Sequence, residues 1–174
     1  MPRDSAGAAC YYRRMYNFSA IPGQSKPARY QDLREAAAAI TSDEPDAVAN
    51  MANCAALLAE FLPDLNWAGF YRLIGGVLVL GPFAGKPACI RIALGQGVCG
   101  AAAATGKTQL VADVHTFPGH IACDAASRSE LVVPVLRGGS VIAVIDLDSP
   151  MLARFDTDDA AGLEAFAVAI ADRI

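Results

Sequence analysis

Two Gly-Gly pairs constrain the fold of this chain most, because each stands between two stretches with the alternating pattern of β-strands. Gly75-Gly76 and Gly138-Gly139 can supply the positive φ angles that two-residue hairpin turns require. Each pair therefore predicts two neighbouring antiparallel strands. The four strands predicted in this way are 67–74, 77–80, 130–136 and 140–148.

Helical patterns surround these strands. An Ala-rich segment, a segment with apolar residues at helical spacing before Pro63, and the closing segment predict three longer helices. A short helix lies between two groups of three strands. The fold class is therefore α+β, with a central, mostly antiparallel six-stranded sheet flanked by helices. The predicted helices are 30–40, 45–62, 99–105 and 155–174, and the remaining strands are 89–93 and 108–113.

Length and charge exclude several classes of protein. A chain of 174 residues indicates one domain. Lys and Arg total 14 against 18 Asp and Glu, without a basic stripe, so we expect no nucleic-acid partner. The uncharged stretch 92–106 is broken by glycine and is shorter than the ~20 apolar residues of a membrane-spanning helix. We expect no membrane association and a cytoplasmic location.

The first 29 residues differ in charge from the rest of the chain. They hold one acidic residue, Asp4, against five basic ones: Arg3, Arg13, Arg14, Lys26 and Arg29. A start that is rich in Arg and poor in acids is typical of organelle transit peptides, and also of solvated tails. We interpret residues 1–29 as an N-terminal extension, with organelle targeting as the alternative to a cytoplasmic tail.

Two motifs suggest other functions but are weak. Residues 95–100 fit the GxGxxG pattern of dinucleotide sites, but the helix that follows ends at Gly106, too soon for a βαβ unit. His115, His120 and Cys123 could form a zinc site with one open position. They belong to an irregular loop rather than to one helix face, so we expect no metal.

The cysteines favour redox chemistry. Cys123 lies in a long irregular loop near His120, where an imidazole and turn N–H groups would lower the pKa of its thiol. Cys89 and Cys99 belong to a second irregular region. If that region crosses the same pocket, the three thiols form a redox set. The odd total of five cysteines, with Cys10 and Cys54, argues against a structural disulfide framework.

Carboxylates provide a second set of candidate residues. Asp146 and Asp148 share one face of the last strand, together with Ile142 and Val144. The position of Glu130 depends on the hairpin. A plain two-residue turn pairs Leu131 with Asp146 and turns Glu130 away, whereas a three-residue turn or one bulge pairs Glu130 with Asp148. Three clustered acids would raise the pKa of one of them, which could then donate a proton.

Aromatic residues line the first strand of the sheet. Trp67, Gly69 and Tyr71 share one face, and the glycine leaves room between the two rings. Such a slot suits a small apolar or cationic group, although taken alone the pattern favours ordinary core packing.

Seven short motifs resemble, in the same order, those of the free methionine-(R)-sulfoxide reductases, which are small GAF-domain enzymes. The resemblance runs from about Tyr30 to near the C-terminus and implies a single GAF-like catalytic domain over residues 30–174. The motifs are Asn-Trp-Ala-Gly-Phe-Tyr at 66–71, Leu-Gly-Pro-Phe at 80–83, Gly-Val-Cys-Gly at 97–100, Asp-Val-His at 113–115, Gly-His-Ile-Ala-Cys-Asp at 119–124, Ser-Glu at 129–130 and Ile-Asp-Leu-Asp-Ser at 145–149.

The resemblance also implies roles for individual residues. Cys123 matches the catalytic cysteine, Cys89 the main resolving cysteine and Cys99 an auxiliary one, while Cys10 and Cys54 match nothing functional. The remaining matches are Trp67 and Tyr71 around the substrate methyl group, Glu130, Asp146 and Asp148 at the ammonium and the sulfoxide oxygen, and Ile121 and Ala122 in the loop whose N–H groups suit the carboxylate.

The implied activity is a thiol-dependent reduction of free L-methionine (R)-S-oxide to L-methionine. It would proceed through a cysteine sulfenic acid and an intramolecular disulfide, with thioredoxin as the electron donor and no cofactor. The family also implies a homodimer. The alternative from another class is a non-catalytic GAF sensor that binds a small ligand or reads redox state, which needs a pocket but neither a resolving thiol nor three acids.

Overall fold

A computed structural model describes residues 18–119 and 124–174. Within these ranges no helix is both long and apolar enough to cross a membrane. The helices are α1 (Lys26–Thr41), α2 (Ala47–Phe61), α3 (Gly97–Thr105) and α4 (Thr157–Ile170), with a 3-10 turn at Val114–Thr116. The strands are β1 (Trp67–Ile74), β2 (Val77–Gly85), β3 (Arg91–Ala93), β4 (Gln109–Val111), β5 (Ser129–Arg137) and β6 (Ser140–Ser149).

The six strands form one sheet in the order β3-β2-β1-β6-β5-β4, and every neighbouring pair is antiparallel. Both Gly-Gly pairs form the predicted hairpin turns, with φ angles of 60° and 80° in the first and 58° and 81° in the second. Positive φ at both central residues matches the twist of the flanking strands. The predicted α+β fold with a six-stranded sheet is therefore confirmed.

The two faces of the sheet are covered differently. Helices α1, α2 and α4 lie on one side, where Phe70, Leu131 and Ile145 form the centre of the larger core. The short helix α3 lies on the other side, against Trp67, Tyr71, Val132 and Val144. Because strand side chains alternate between faces, Glu130 and Asp146 lie on the α3 side. The site is therefore formed on the thinly covered face.

Strand β2 is longer than the sequence indicated, since it continues through Gly81 and Pro82 to Gly85. It pairs with β1 along its whole length, from Ile74 opposite Val77 to Trp67 opposite Gly85, with a register shift between Gly69 and Tyr71. A proline lacks the N–H that a sheet ladder needs, but an irregularity tolerates it. Pro82 lies at this shift, which is why Gly-Pro does not end the strand.

Helix α1 begins at Lys26, with a proline in its first turn, so the expected domain boundary at Tyr30 falls inside the helix. The ammonium group of Lys26 lies 2.5 Å from Asp159 in the first turn of α4, and the Tyr30 hydroxyl donates to the same carboxylate. At the other end, the Arg173 guanidinium donates to the Ser42 carbonyl. Helices α1 and α4 therefore run parallel. None of the described residues before Tyr30 adds a strand to the sheet.

Candidate functional site

The register of the β5–β6 hairpin brings the three predicted acids together. Glu130 lies opposite Asp148, and Val132 lies opposite Asp146. The turn has two residues, since Arg137 pairs with Ser140, but the register shifts between Val135 and Leu136. The bulge alternative is therefore confirmed.

The bulge also reverses one predicted side chain. Ile142, expected on the face of the acids, packs against the larger core on the opposite face instead. Its neighbour Val141 packs on the acid side. A bulge adds one residue to a strand. The alternation of side chains between the two faces therefore shifts by one residue beyond the bulge.

Helix α3 closes the site over the acids. Gln96, Gly97, Val98 and Cys99 at its start line a cavity together with Glu130, Asp146 and Asp148. The thiol of Cys99 lies 4.0 Å from Oε1 of Glu130. A Cβ on Gly100 would lie 2.5 Å from the Ala93 carbonyl, so this glycine allows α3 to approach the preceding turn closely. The Gly95–Gly100 motif thus serves packing, and the antiparallel sheet offers no βαβ unit for a dinucleotide.

Burial and mutual repulsion keep protons on this acid cluster. Burial raises the pKa of Glu130 and Asp148 well above the usual carboxyl range, and the charge of Asp146 raises both further. Burial also raises the pKa of Asp146, to about 6, while hydrogen bonds from Cys99 and Glu130 oppose the increase. Burial, and then the charges of Asp146 and Glu130, raise the pKa of the Cys99 thiol well above its usual value. The hydrogen bonds from Cys99 and Glu130 thus favour the ionised form of Asp146, against the effect of burial.

One oxygen of this carboxylate is available for a ligand. Asp146 is 6% exposed, and its Oδ1 has no hydrogen-bond partner within the described ranges. A buried carboxylate oxygen without a donor is costly, so such an atom marks a place where a donor from outside is expected. Asp146 lines the cavity under α3 and also the adjoining one beside Trp67.

The aromatic residues form a wall rather than an open slot. The Trp67 ring stacks on Phe83 at 5.3 Å and on Tyr71 at 5.9 Å between centroids. A Cβ on Gly69 would lie 2.4 Å from the Phe83 Cβ and 2.7 Å from the Trp67 ring. The room above Gly69 is thus filled by the protein itself, which corrects the expected gap between the rings. Trp67 and Tyr71 nevertheless line the second cavity together with Asp146 and Asp148, and Trp67 pairs with Asp148 in the β1–β6 ladder.

Asp124 joins the two cavities and is held by several groups. The backbone N–H of Ala126 donates to its carboxylate, Lys86 lies 3.1 Å away, and the Asn66 amide donates at 3.2 Å. These contacts, led by the Ala126 N–H, lower the pKa of Asp124. The sequence reasoning missed Asn66, Lys86 and Asp124 as parts of the site. Asn66 and Asp124 belong to conspicuous motifs, but nothing in the sequence shows that they meet.

The cysteines are only partly described. Cys99 lines the cavity under α3, and Cys89 is half-buried, next to Ala88 of the second cavity. Cys54 is buried in the larger core, on the other side of the sheet. Cys123, Ile121, Ala122 and His120 lie outside the described residues, as does Cys10. In sequence, Cys123 directly precedes Asp124, which lines both cavities.

Comparisons with known proteins agree with this geometry. The model of the family described as "GAF domain" matches residues 48–174. A free methionine-R-sulfoxide reductase of Escherichia coli K12 is 51% identical over 77% of this chain and 81% of its own. The structure of a free methionine-R-sulfoxide reductase from Neisseria meningitidis with its substrate matches with a TM-score of 0.85 at 43% identity, covering 90% and 94% of the two chains. A Burkholderia vietnamiensis protein titled a GAF sensor matches with a TM-score of 0.83 at 55% identity, covering 86% and 96%.

Proposed function

Because this chain belongs to the GAF-domain free methionine-R-sulfoxide reductases and is an oxidoreductase, we propose that it reduces free methionine (R)-sulfoxide by a cysteine-based cycle in the pocket described above. The observation that carries the proposal is the unpartnered Oδ1 of Asp146, buried beside two acids that hold protons. This arrangement offers one acceptor for a cation and two donors for an oxygen.

Free methionine sulfoxide carries an ammonium, a carboxylate, a polar S–O bond and a methyl group, and the proposal assigns a partner to each. Asp146 accepts hydrogen bonds from the ammonium. Trp67 and Tyr71 contact the methyl group, and N–H groups of Ile121 and Ala122 bind the carboxylate. Recognition of both charged groups of a free amino acid would exclude the same residue inside a peptide chain, where neither charge exists.

In the proposed reaction, the Cys123 thiolate attacks the sulfoxide sulfur while Glu130 or Asp148 donates a proton to the oxygen. The raised pKa of both carboxyl groups supports this role, since a proton donor has to be protonated near neutral pH. Methionine leaves, its sulfur reduced by two electrons. The oxygen remains on Cys123, which is oxidised to a sulfenic acid.

A second thiol then condenses with this sulfenic acid to form a disulfide and water. Cys89 is the main candidate, since it is half-buried beside the second cavity. Cys99 is the auxiliary one, because its burial among acids opposes formation of a thiolate. Thioredoxin then restores both thiols by exchange.

Incubation with each epimer of free methionine sulfoxide tests the activity. We expect the R epimer to be converted to methionine in the presence of a dithiol, the S epimer to remain, and a peptide containing methionine sulfoxide to be untouched. Amino-acid analysis measures the products. A protein that binds the sulfoxide but consumes neither epimer would be a sensor, as in the alternative considered from the sequence.

Single-turnover release of methionine separates the thiols. Cys123→Ser should release none, because a serine hydroxyl does not ionise near neutral pH. Cys89→Ser should complete the first turnover and lose recycling, unless Cys99 replaces it. Cys54→Ser, in the core beyond the sheet, is the matched control and should cycle normally. Methionine release by Cys123→Ser but not by Cys89→Ser would assign the nucleophile to Cys89.

A further inference from the structure

Three side chains with metal-binding atoms meet in the wall of the pocket. They are Cys99 at the start of α3, Glu130 on β5 and Asp146 on β6. One sulfur and two carboxylate oxygens, one from each residue, lie within 4.8 Å of one another. All three residues are buried, with exposures between 4% and 6%. From the sequence, these residues were expected to serve catalysis or substrate binding, and no metal was expected.

A second observation is independent of this spacing. Oδ1 of Asp146 is buried without a hydrogen-bond partner among the residues that the structure describes, and Asp146 shares the wall of one cavity with Cys99. An unpartnered, buried carboxylate oxygen is suited to a positively charged ligand. The same cavity would give a small ion access to all three groups.

We propose that Cys99, Glu130 and Asp146 form a binding site for a divalent cation of the zinc class. One thiolate with two carboxylates suits zinc, whereas magnesium and calcium prefer oxygen ligands throughout. Tetrahedral zinc with Zn–S and Zn–O bonds of ordinary length places sulfur and oxygen about 3.6 Å apart. The sulfur of Cys99 and Oε1 of Glu130 are 4.0 Å apart, so small side-chain movements suffice.

The cation acts as a reversible inhibitor, an inference that rests on the proposed function. Zinc on Asp146 would occupy the oxygen that the substrate ammonium needs, so the two compete. The proposed reaction itself uses no metal. Binding also releases protons, because the thiol of Cys99 and the carboxyl of Glu130 have to ionise before they coordinate.

Cobalt(II) is a spectroscopic probe for this site, because thiolate ligands give it an intense ligand-to-metal charge-transfer band. The titration uses reduced full-length protein with Cys89→Ser and Cys123→Ser, which removes the two thiols to which the proposed reaction assigns the nucleophile and the main resolving role. We expect this background to show the band, and Cys99→Ser added to it to abolish the band. Adding Cys54→Ser to the background, in place of Cys99→Ser, is the matched control and should leave the band unchanged. A band that survives Cys99→Ser, or no band in the background, would overturn the site.

Asp146→Asn tests the carboxylate in the same background. The asparagine side chain has nearly the same size and shape as aspartate but lacks the charge. We expect the substitution to weaken cobalt binding at least about tenfold. Unchanged affinity would exclude Asp146 as a ligand.

Competition is measured by repeating the titration with free methionine sulfoxide, which this background can bind but not reduce. The apparent dissociation constant for cobalt should rise with the concentration of methionine sulfoxide. Glycine is the control, because it chelates cobalt in solution through the same amino and carboxylate groups, and it should raise the constant less. Equal effects of methionine sulfoxide and glycine would contradict competition.

Reductase activity of the wild type, measured in the presence of a chelator, distinguishes the metal site from the proposed function. If the wild type is active but the Cys89→Ser, Cys123→Ser background shows no cobalt band, only the metal site is wrong. If the band is present but the wild type is inactive, only the proposed function is wrong.

Discussion

Glu130 and Asp148 lie directly opposite each other in the β5–β6 ladder, so two carboxyl groups that repel each other when ionised share one wall of the pocket. Asp146, two residues before Asp148 on the same strand, adds a third acid to this wall. Burying charges that lack an opposite partner is unfavourable, and the protein accommodates these groups by keeping protons on them. The cluster therefore links the stability of the fold to pH.

The stability of the protein should fall as the pH rises through the range in which the cluster ionises. An unfolded aspartate ionises near pH 4, whereas the pKa of Asp146 in the fold is about 6. The unfolded state binds fewer protons in this range, so stability decreases with pH. Asp146→Asn removes this contribution, which is at most about 3 kcal/mol.

Urea unfolding at several pH values between about 4 and 7, with a chelator present, measures the effect. As the pH rises across this range, the free energy of unfolding of the wild type should decrease relative to that of Asp146→Asn. Asp172→Asn, an exposed position after α4, is the control and should follow the wild type. A wild type that gains stability relative to Asp146→Asn would contradict the raised pKa.

Gly69→Ala should damage both stability and substrate binding. Its Cβ would lie 2.4 Å from the Phe83 Cβ and 2.7 Å from the Trp67 ring, so the ring has to move. Gly162→Ala is the matched control, since its Cβ would lie 2.3 Å from the Tyr30 ring, away from the pocket. We expect each to cost about 1–3 kcal/mol of stability, while only Gly69→Ala raises KM. Equal KM values for the two variants would show that Trp67 does not contact the substrate.

Asn66→Ala should reduce activity much more than Lys86→Ala, although both side chains contact Asp124. The Asn66 amide donates to Asp124 and to Ser127, so its loss removes two partly buried hydrogen bonds and the link between these two residues. Lys86 is 70% exposed, and exposed ion pairs contribute little. We expect kcat/KM to fall roughly tenfold for Asn66→Ala and less than about threefold for Lys86→Ala. The opposite order would assign the positioning of Asp124 to its ion pair.

Asp159→Asn should destabilise the protein without changing its chemistry. The Asp159 carboxylate is 1% exposed and contacts the Lys26 ammonium, the Tyr30 hydroxyl and the Arg154 guanidinium. Removing its charge leaves the buried Arg154 guanidinium without this ion pair, whereas the partly exposed Lys26 keeps Asp156, and the loss costs about 3 kcal/mol. Asp158→Asn, the exposed neighbour in the same helical turn, should change stability by less than about 0.5 kcal/mol. Thermal unfolding of both variants provides the comparison, and similar losses would refute the role of the buried contacts.

The sequence was sufficient to predict the sheet and the face that carries Asp146 and Asp148. Gly-Gly turns and alternating residues are local signals, and they placed both hairpins correctly. The pairing of Glu130 with Asp148 could not be decided in the same way. It depends on a bulge near the turn, which no residue type marks, so the sequence left two registers open and placed Ile142 on the wrong face.

The packing of the aromatic wall could not be predicted from local sequence patterns either. From the sequence, Gly69 was expected to leave an open slot between the Trp67 and Tyr71 rings. Phe83 fills that space because β2 continues past Gly81 and Pro82, and this continuation depends on pairing with β1. Likewise, Asn66 and Asp124 are 58 residues apart, and only the folded sheet brings them together. Contacts between distant segments decide what local propensity leaves open.

The parallel attachment of α1 to α4 has a consequence for how the protein is made. Synthesis on the ribosome proceeds from the N-terminus, so α1 emerges first, and its partners Asp159 and Gly162 emerge about 130 residues later. Until then the Tyr30 ring and the apolar side of α1 lack the surface that buries them. Nascent chains that stall before α4 therefore expose this helix to chaperones and proteases, and the catalytic domain is completed only after α4 has been made.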